Sequence, residues 1–308
     1  MKSTVFGQFV VGSPGAGKST YCKAVCEFLN GANRKCVVVN LDPANDNALP
    51  YECAVDVREL ITLDEAMRAH ALGPNGAMLF CAEVLEKNLD TWLLPRLQEQ
   101  KDAFLLFDCP GQIELFTHHD RLRKAARKSC KFFVKISLSS LRNVLHRLTF
   151  KTSLRLCCVN LVDAHHVADA SKFVALTLIS LTMMLQLELP HVNVLSKVDL
   201  LEQFGELPLG LEYYAEATDF SVALQRDRQL PKKFRKLNKA LAELVEEFGL
   251  VHFTALNSAN VQNVAAVTRL TDKACGYVYR ADEMNEMIAK AQADLDLAEM
   301  HEMYRRKT

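Results

Sequence analysis

Lys18 and Ser19 close the run Gly12-Ser13-Pro14-Gly15-Ala16-Gly17-Lys18-Ser19-Thr20, which fits the spacing G-x-x-x-x-G-K-[ST]. Glycines there let the backbone wrap an anion without Cβ clashes, so that successive N–H groups face it. The lysine of such a loop reaches the β- and γ-phosphates of a nucleoside triphosphate, and the Ser19 hydroxyl is a ligand for Mg²⁺. The bland alternative is a glycine-rich turn with a stray lysine. An apolar stretch before the run and a helical pattern after it favour nucleotide binding.

Two carboxylates suit the same metal. Asp42 follows the apolar run 35–41, where a parallel sheet binds its ligands; its other reading is a turn residue before Pro43. Asp108 ends the run 103–107 and opens Asp108-Cys109-Pro110-Gly111-Gln112-Ile113-Glu114. In that segment Asp108 handles Mg²⁺, Gly111 lets backbone approach the γ-phosphate, and Gln112 and Glu114 can orient an attacking water. Further on stands Ser196-Lys197-Val198-Asp199. The Asp199 carboxylate can accept both hydrogen bonds from guanine N1–H and its exocyclic amine, a donor pair that adenine lacks. The stem of Lys197 can lie along the base. The pattern [NT]-K-x-D has an amide where this chain has Ser196, so a tie to the phosphate loop is expected to be lost and affinity to be modest.

These residues need strands that end beside one another. Apolar runs at 4–11, 35–41, 103–107, 156–162, 191–195 and 251–256 read as buried strands without alternation, as in a parallel sheet. Helical patterns fall at 21–29, from about 169, and at 233–248. Gly73-Pro74-Asn75-Gly76 alone reads as a tight turn before a helix over 77–98. Residues 51–71 give charges among scattered apolar positions. Residues 205–232 read as a helical excursion near the base, and Leu256 ends the last strand where a backbone contact to the base belongs. The fold class is α/β: a doubly wound, mostly parallel sheet of the P-loop NTPase type with helical insertions. It spans 1–280, with a C-terminal helical tail at 281–308.

Composition narrows the partners. Lysine plus arginine, 37, balance aspartate plus glutamate, 37, so no global charge argues for nucleic acid. Ten cysteines lack paired metal spacing and read as reduced thiols. No leader segment is expected before the first strand, and the uncharged run 173–187 reads as a buried helix of a soluble, intracellular protein. Adjacent histidines at 118–119 and 165–166 read as polar loop residues, since neighbours on a strand point to opposite faces.

Taken in order, the motifs resemble those of the GPN-loop GTPases over nearly the whole chain. The likeness rests on the phosphate loop, Asn40-Leu41-Asp42-Pro43-Ala44, Gly73-Pro74-Asn75, Asp108-x-Pro110-Gly111-Gln112-x-Glu114 and Ser196-Lys197-x-Asp199. Wording around 161–166 and 188–193 is similar to the second eukaryotic paralogue type. The resemblance implies GTP and GDP as ligands, Mg²⁺ as cofactor, and a homodimer or a heterodimer with paralogous members. It implies that Gly73, Pro74 and Asn75 reach the partner's phosphates, with Asn75 holding the attacking water in trans and Gln112 and Glu114 in cis. It implies a role in RNA polymerase assembly and import, in the cytoplasm with shuttling to the nucleus. One stretch departs from the pattern: residues 121–139 intervene with seven Lys or Arg and no acid. They read as a lineage-specific loop, a translated intron, or a basic arm for nucleic acid or an acidic partner. Two rival functions remain: an ATP-dependent kinase, and a scaffold that binds GTP with negligible hydrolysis.

Overall fold

The computed structural model describes residues 4–45, 48–112, 140–151, 153–204, 207, 209–217, 219–226, 231–278 and 287–290. Its strands are β1 (Val5–Gly12), β2 (Cys36–Asn40), β3 (Cys53–Asp56), β4 (Phe104–Asp108), β5 (Leu154–Asp163), β6 (His191–Ser196) and β7 (Phe253–Leu256). They form one sheet in the order β3-β2-β4-β1-β5-β6-β7, and every pairing is parallel. The order reverses at β1, so a crevice opens at the carboxyl ends of β1 and its neighbours.

The main helices are α1 (Lys18–Gly31), α2 (Leu63–His70), α3 (Pro74–Lys87), α4 (Leu94–Glu99), α5 (Ser140–Lys151), α6 (Ala170–Leu187), α7 (Leu211–Glu216), α8 (Ser221–Arg226), α9 (Lys232–Phe248) and α10 (Val261–Cys275). Strands buried on both faces must be apolar at successive positions. Phe9 and Val11 of β1 join α3 and α5 on one face, while Val10 joins α1 and α10 on the other. A third cluster, built on Phe173, Phe220 and Phe253, packs α6 and α9 against the β5–β7 end. The face with α1 and α10 also holds polar ties. Arg34 forms a two-pronged salt bridge to the fully buried Asp272 at 2.5 and 3.0 Å, and Tyr21 donates to Gln8 at 2.8 Å.

Three local expectations change. The turn expected at Gly73-Pro74-Asn75-Gly76 is the start of α3: Gly73 caps it and Pro74 takes its first position, where no N–H is needed and φ is preset. The single helix expected over 77–98 divides into α3, a π-type turn at Leu89–Leu93 and α4, because Pro95 cannot donate into the helical ladder. Residues 51–71 hold an edge strand, β3, and α2. Thr62 and Glu65 cap each other reciprocally at the start of α2, a T-x-x-E signal that the sequence carries openly.

α6 is long and apolar enough to cross a bilayer by length and composition. Here it is a core helix on one side, burying Phe173, Val174 and Leu181, while Ile179 and Leu185 are exposed. In the tail, Met287 is buried in the cluster of α1 and α10. The basic segment 121–139, the pair His118–His119 and Glu114 lie outside the described residues.

Candidate nucleotide site

β1 delivers the glycine-rich loop and α1 receives it. Gly12 has φ +147°, and a Cβ there would stand 2.2 Å from the Leu161 carbonyl oxygen, so the neighbouring strand β5 demands this glycine. Gly15 and Gly17 follow at φ +77° and +88°, and Gly17 is the N-cap of α1. The Ala16 N–H donates to the Ser13 carbonyl at 3.2 Å and closes the loop. Lys18 is buried and folds over the same loop, its Nζ donating to the carbonyls of Gly12 at 3.3 Å and Ser13 at 3.2 Å. Ser19 is half-buried beside it, with Pro14 and Thr20 exposed at the rim.

The metal edge is built by β2 and β4. Asp108 is buried, and its Oδ2 accepts a hydrogen bond from the Tyr51 hydroxyl at 2.6 Å. Its Oδ1 is buried without a well-formed hydrogen bond. Burial raises the Asp108 pKa, while Tyr51, Ser19, the Lys18 charge and Asn45 pull the other way. Asp42 is partly buried and its pKa is raised too, first by desolvation and further by Asp108, against the Ala44 amide and Lys18. Asn40 sets the turn that carries Asp42: its Oδ1 accepts from the Asp42 N–H at 3.0 Å, and its Nδ2 donates to Asp56 at 2.9 Å. Two crowded carboxylates, one orphaned oxygen and a hydroxyl make an oxygen-only donor set, which fits Mg²⁺ held by one or two carboxylates plus phosphate. No cluster of three His, Cys, Asp or Glu among the described residues offers an all-protein cage instead.

Opposite the loop, Gly111 presses against it: a Cβ there would stand 2.9 Å from Pro14 Cα and 3.0 Å from Lys18 Nζ. This close approach presses the segment after β4 against the glycine-rich loop. Gln112 then donates from Nε2 to Asn75 Oδ1 at 3.2 Å. The first turn of α3, capped by Gly73 and Pro74, thus meets the segment after β4 within a single chain. A cleft of about 530 Å³ runs past Lys18, Ser19, Asp42, Gly111, Gln112 and Lys197.

The base side departs from expectation at one residue. The Ser196 hydroxyl donates to the Ala16 carbonyl at 2.7 Å, so the tie between this loop and the phosphate loop is kept by a shorter side chain. Lys197 takes a left-handed conformation, φ +60°, and its Nζ binds Asp163 Oδ2 at 2.7 Å. Against burial, which raises it, hydrogen bonds from Lys197 and His165 hold the Asp163 pKa below its ordinary value. His165 and His166 do not point apart. They sit on a short 3₁₀ turn, Ala164–Ala168, with ring centroids 3.8 Å apart. Asp199 is exposed two residues beyond Lys197, and Leu256 is buried beside Ser196 in register. Tyr51 and Asp163 had no motif to announce them. Tyr51 precedes β3 by sequence and meets Asp108 only through the fold.

A family model described as "Conserved hypothetical ATP binding protein" matches residues 10–136 and 131–277. The match breaks in two inside the basic segment. GPN-loop GTPase 2 of Danio rerio is 45% identical over 276 residues, covering 89% of this chain and 82% of that protein. GPN-loop GTPase QQT1 of Arabidopsis thaliana is 43% identical over 299 residues, covering 95% and 93%. GPN-loop GTPase 2 of Saccharomyces cerevisiae is 40% identical over 295 residues, covering 94% and 79%. Among solved structures, a GTPase in apo form from Pyrococcus abyssi superposes with TM-score 0.65 at 23% identity, covering 88% of this chain and 97% of that one, which bears on the fold alone. With 40–45% identity sustained over most of each of these proteins, the chain belongs to the GPN-loop GTPase family.

Proposed function

We propose that this chain binds GTP with Mg²⁺ and hydrolyses it to GDP and phosphate. The observation that carries the reading is the single cleft that gathers Lys18, Ser19, Asp42, Gly111, Gln112 and Lys197. Loop amides and Lys18 cradle the phosphates, and Ser19, Asp42 and Asp108 would hold the metal, which would supply positive charge beside the phosphates. Gln112, steadied by Asn75, orients water toward the γ-phosphate. Guanine is favoured over adenine because the exposed Asp199 carboxylate closes the Ser196-Lys197-Val198-Asp199 loop, which Ser196 ties to the phosphate loop.

By family resemblance, the reading extends to a dimeric assembly and import factor for RNA polymerase, cytoplasmic with shuttling to the nucleus. Hydrolysis of GTP and ATP, measured side by side on wild type and Asp199→Asn, tests the base reading. The variant should lose about 100-fold or more in GTP affinity, since it presents a donor where a carboxylate accepted twice. ATP turnover faster than GTP turnover would move the chain to the kinase class. Nucleotide binding with no phosphate release would leave a scaffold.

A further inference from the structure

Outside the nucleotide site, Cys26 of α1 and Cys36 of β2 line one cleft of about 690 Å³, together with Lys23, Asn30, Tyr51 and Cys53. Asn30 clamps the pair. Its Nδ2 donates to Cys26 Sγ at 3.3 Å and to the Cys36 carbonyl at 3.0 Å, and its Oδ1 accepts from the Cys36 N–H at 2.8 Å. The Cys26 thiol itself reaches the Cys36 carbonyl at 3.5 Å. Cys26 is half-buried and open to the cleft, with Cys36 buried behind it at 4% exposure. Cys53 is held apart: its thiol donates to the Val55 carbonyl at 2.8 Å, and burial pushes its pKa up to about 11.

From this arrangement we propose that Cys26 and Cys36 are a redox-active thiol pair, with Cys26 attacking a hydroperoxide and Cys36 resolving the product to a disulfide. The Cys26 thiolate attacks one peroxide oxygen, the O–O bond breaks, and the departing oxygen takes a proton and leaves as water or an alcohol. Cys26 is then a sulfenic acid. The Cys36 sulfur attacks the Cys26 sulfur, the S–O bond breaks, and the hydroxyl leaves as water with the Cys36 proton. Two electrons pass from the thiols to the peroxide.

The order of attack follows from the surroundings. A hydrogen bond from the Cys36 thiol draws the Cys26 pKa down against partial burial and the Glu27 carboxylate, and Asn30 adds to the effect. Burial raises the Cys36 pKa and keeps that thiol protonated until a neighbouring sulfur is electrophilic. The new bond staples α1, which starts at Lys18, to β2, whose end carries Asn40.

Reduced full-length protein, exposed to stoichiometric hydrogen peroxide and mapped by mass spectrometry without reduction, tests the pairing. The expected product is a Cys26–Cys36 disulfide, reversed by a thiol reductant and at least about tenfold more abundant than any disulfide through Cys53. Cys36→Ser should stop at a sulfenic acid on Cys26 that dimedone traps, and Cys26→Ser should leave Cys36 unlabelled. Asn30→Ala keeps both sulfurs and removes the clamp, so it should slow disulfide formation with circular dichroism unchanged. A disulfide through Cys53 or Cys130, or Cys26 driven to sulfinic acid while Cys36 stays reduced in wild type, overturns the pairing.

Discussion

A carboxylate buried beside a second one raises the free energy of the folded chain whenever it is ionised, and Asp108 stands in that position next to Asp42. Its pKa in the fold is raised, so its contribution to stability is fully present below the ordinary carboxylate range and is lost as pH rises through the raised value. Asp108→Asn should therefore raise the Tm of ligand-free protein at neutral pH while removing the stabilisation that Mg²⁺ with GDP gives wild type. Differential scanning fluorimetry with and without Mg²⁺ and GDP reads both, and a lowered Tm without ligand would make Asp108 a structural residue. His191 gives the opposite slope. Both its ring nitrogens are buried without a well-formed hydrogen bond, and burial pushes its pKa down to about 4 against the opposing effect of the Asn193 side chain. Below the ordinary value of 6.5 the unfolded chain takes a proton that the fold refuses, so stability falls as pH drops from 6.5 toward 4. The full effect is about 3 kcal/mol, and His191→Phe should flatten it in urea titrations across that window. The sequence made the motif side chains legible because loop chemistry fixes their spacing. It hid the Tyr51–Asp108 contact and the buried Asp108 oxygen, which exist only once β2 has paired with β3 on one side and β4 on the other.

Elements explain why a departure from a motif can be harmless. β6 ends level with β5, Ser196 opposite Asp163, and beside the phosphate loop, close enough for a hydroxyl to reach the Ala16 carbonyl. Ser196→Ala leaves the Ala16 carbonyl without that donor and should weaken guanine nucleotide binding by about tenfold, the net worth of one hydrogen bond. Fluorescent GDP titration measures it, and unchanged affinity would show that the strands alone hold the loop. The central strands were readable as apolar runs. β3 was not, because four residues at a sheet edge carry no period, and the start of α3 was read as a turn because glycine and proline open helices as well as turns.

At the scale of the whole molecule, the doubly wound parallel fold followed from the alternation of strand and helix signals, and the motifs fell at strand ends as such a sheet requires. What no single stretch could supply is the meeting of Asn75 with Gln112, 37 residues apart in sequence. If the two act as one unit on the attacking water, their effects are not additive. Single-turnover GTP hydrolysis should fall by about 10- to 100-fold in Asn75→Ala and in Gln112→Ala. The double variant should lose little more than either. Losses that multiply, or rates equal to wild type, would separate or remove the two roles.

The strand at the centre of the sheet is also the first to be made. β1 pairs on one side with β4 and on the other with β5, whose Leu154 lies opposite Val5. On a ribosome, roughly 150 residues separate those partners, about 8–30 s of synthesis at ~5–20 residues per second. Throughout that interval Phe9, Val10 and Val11 wait without a neighbour on the β5 side. Pairing of the opening strand on that side can begin only once the middle of the chain has been made.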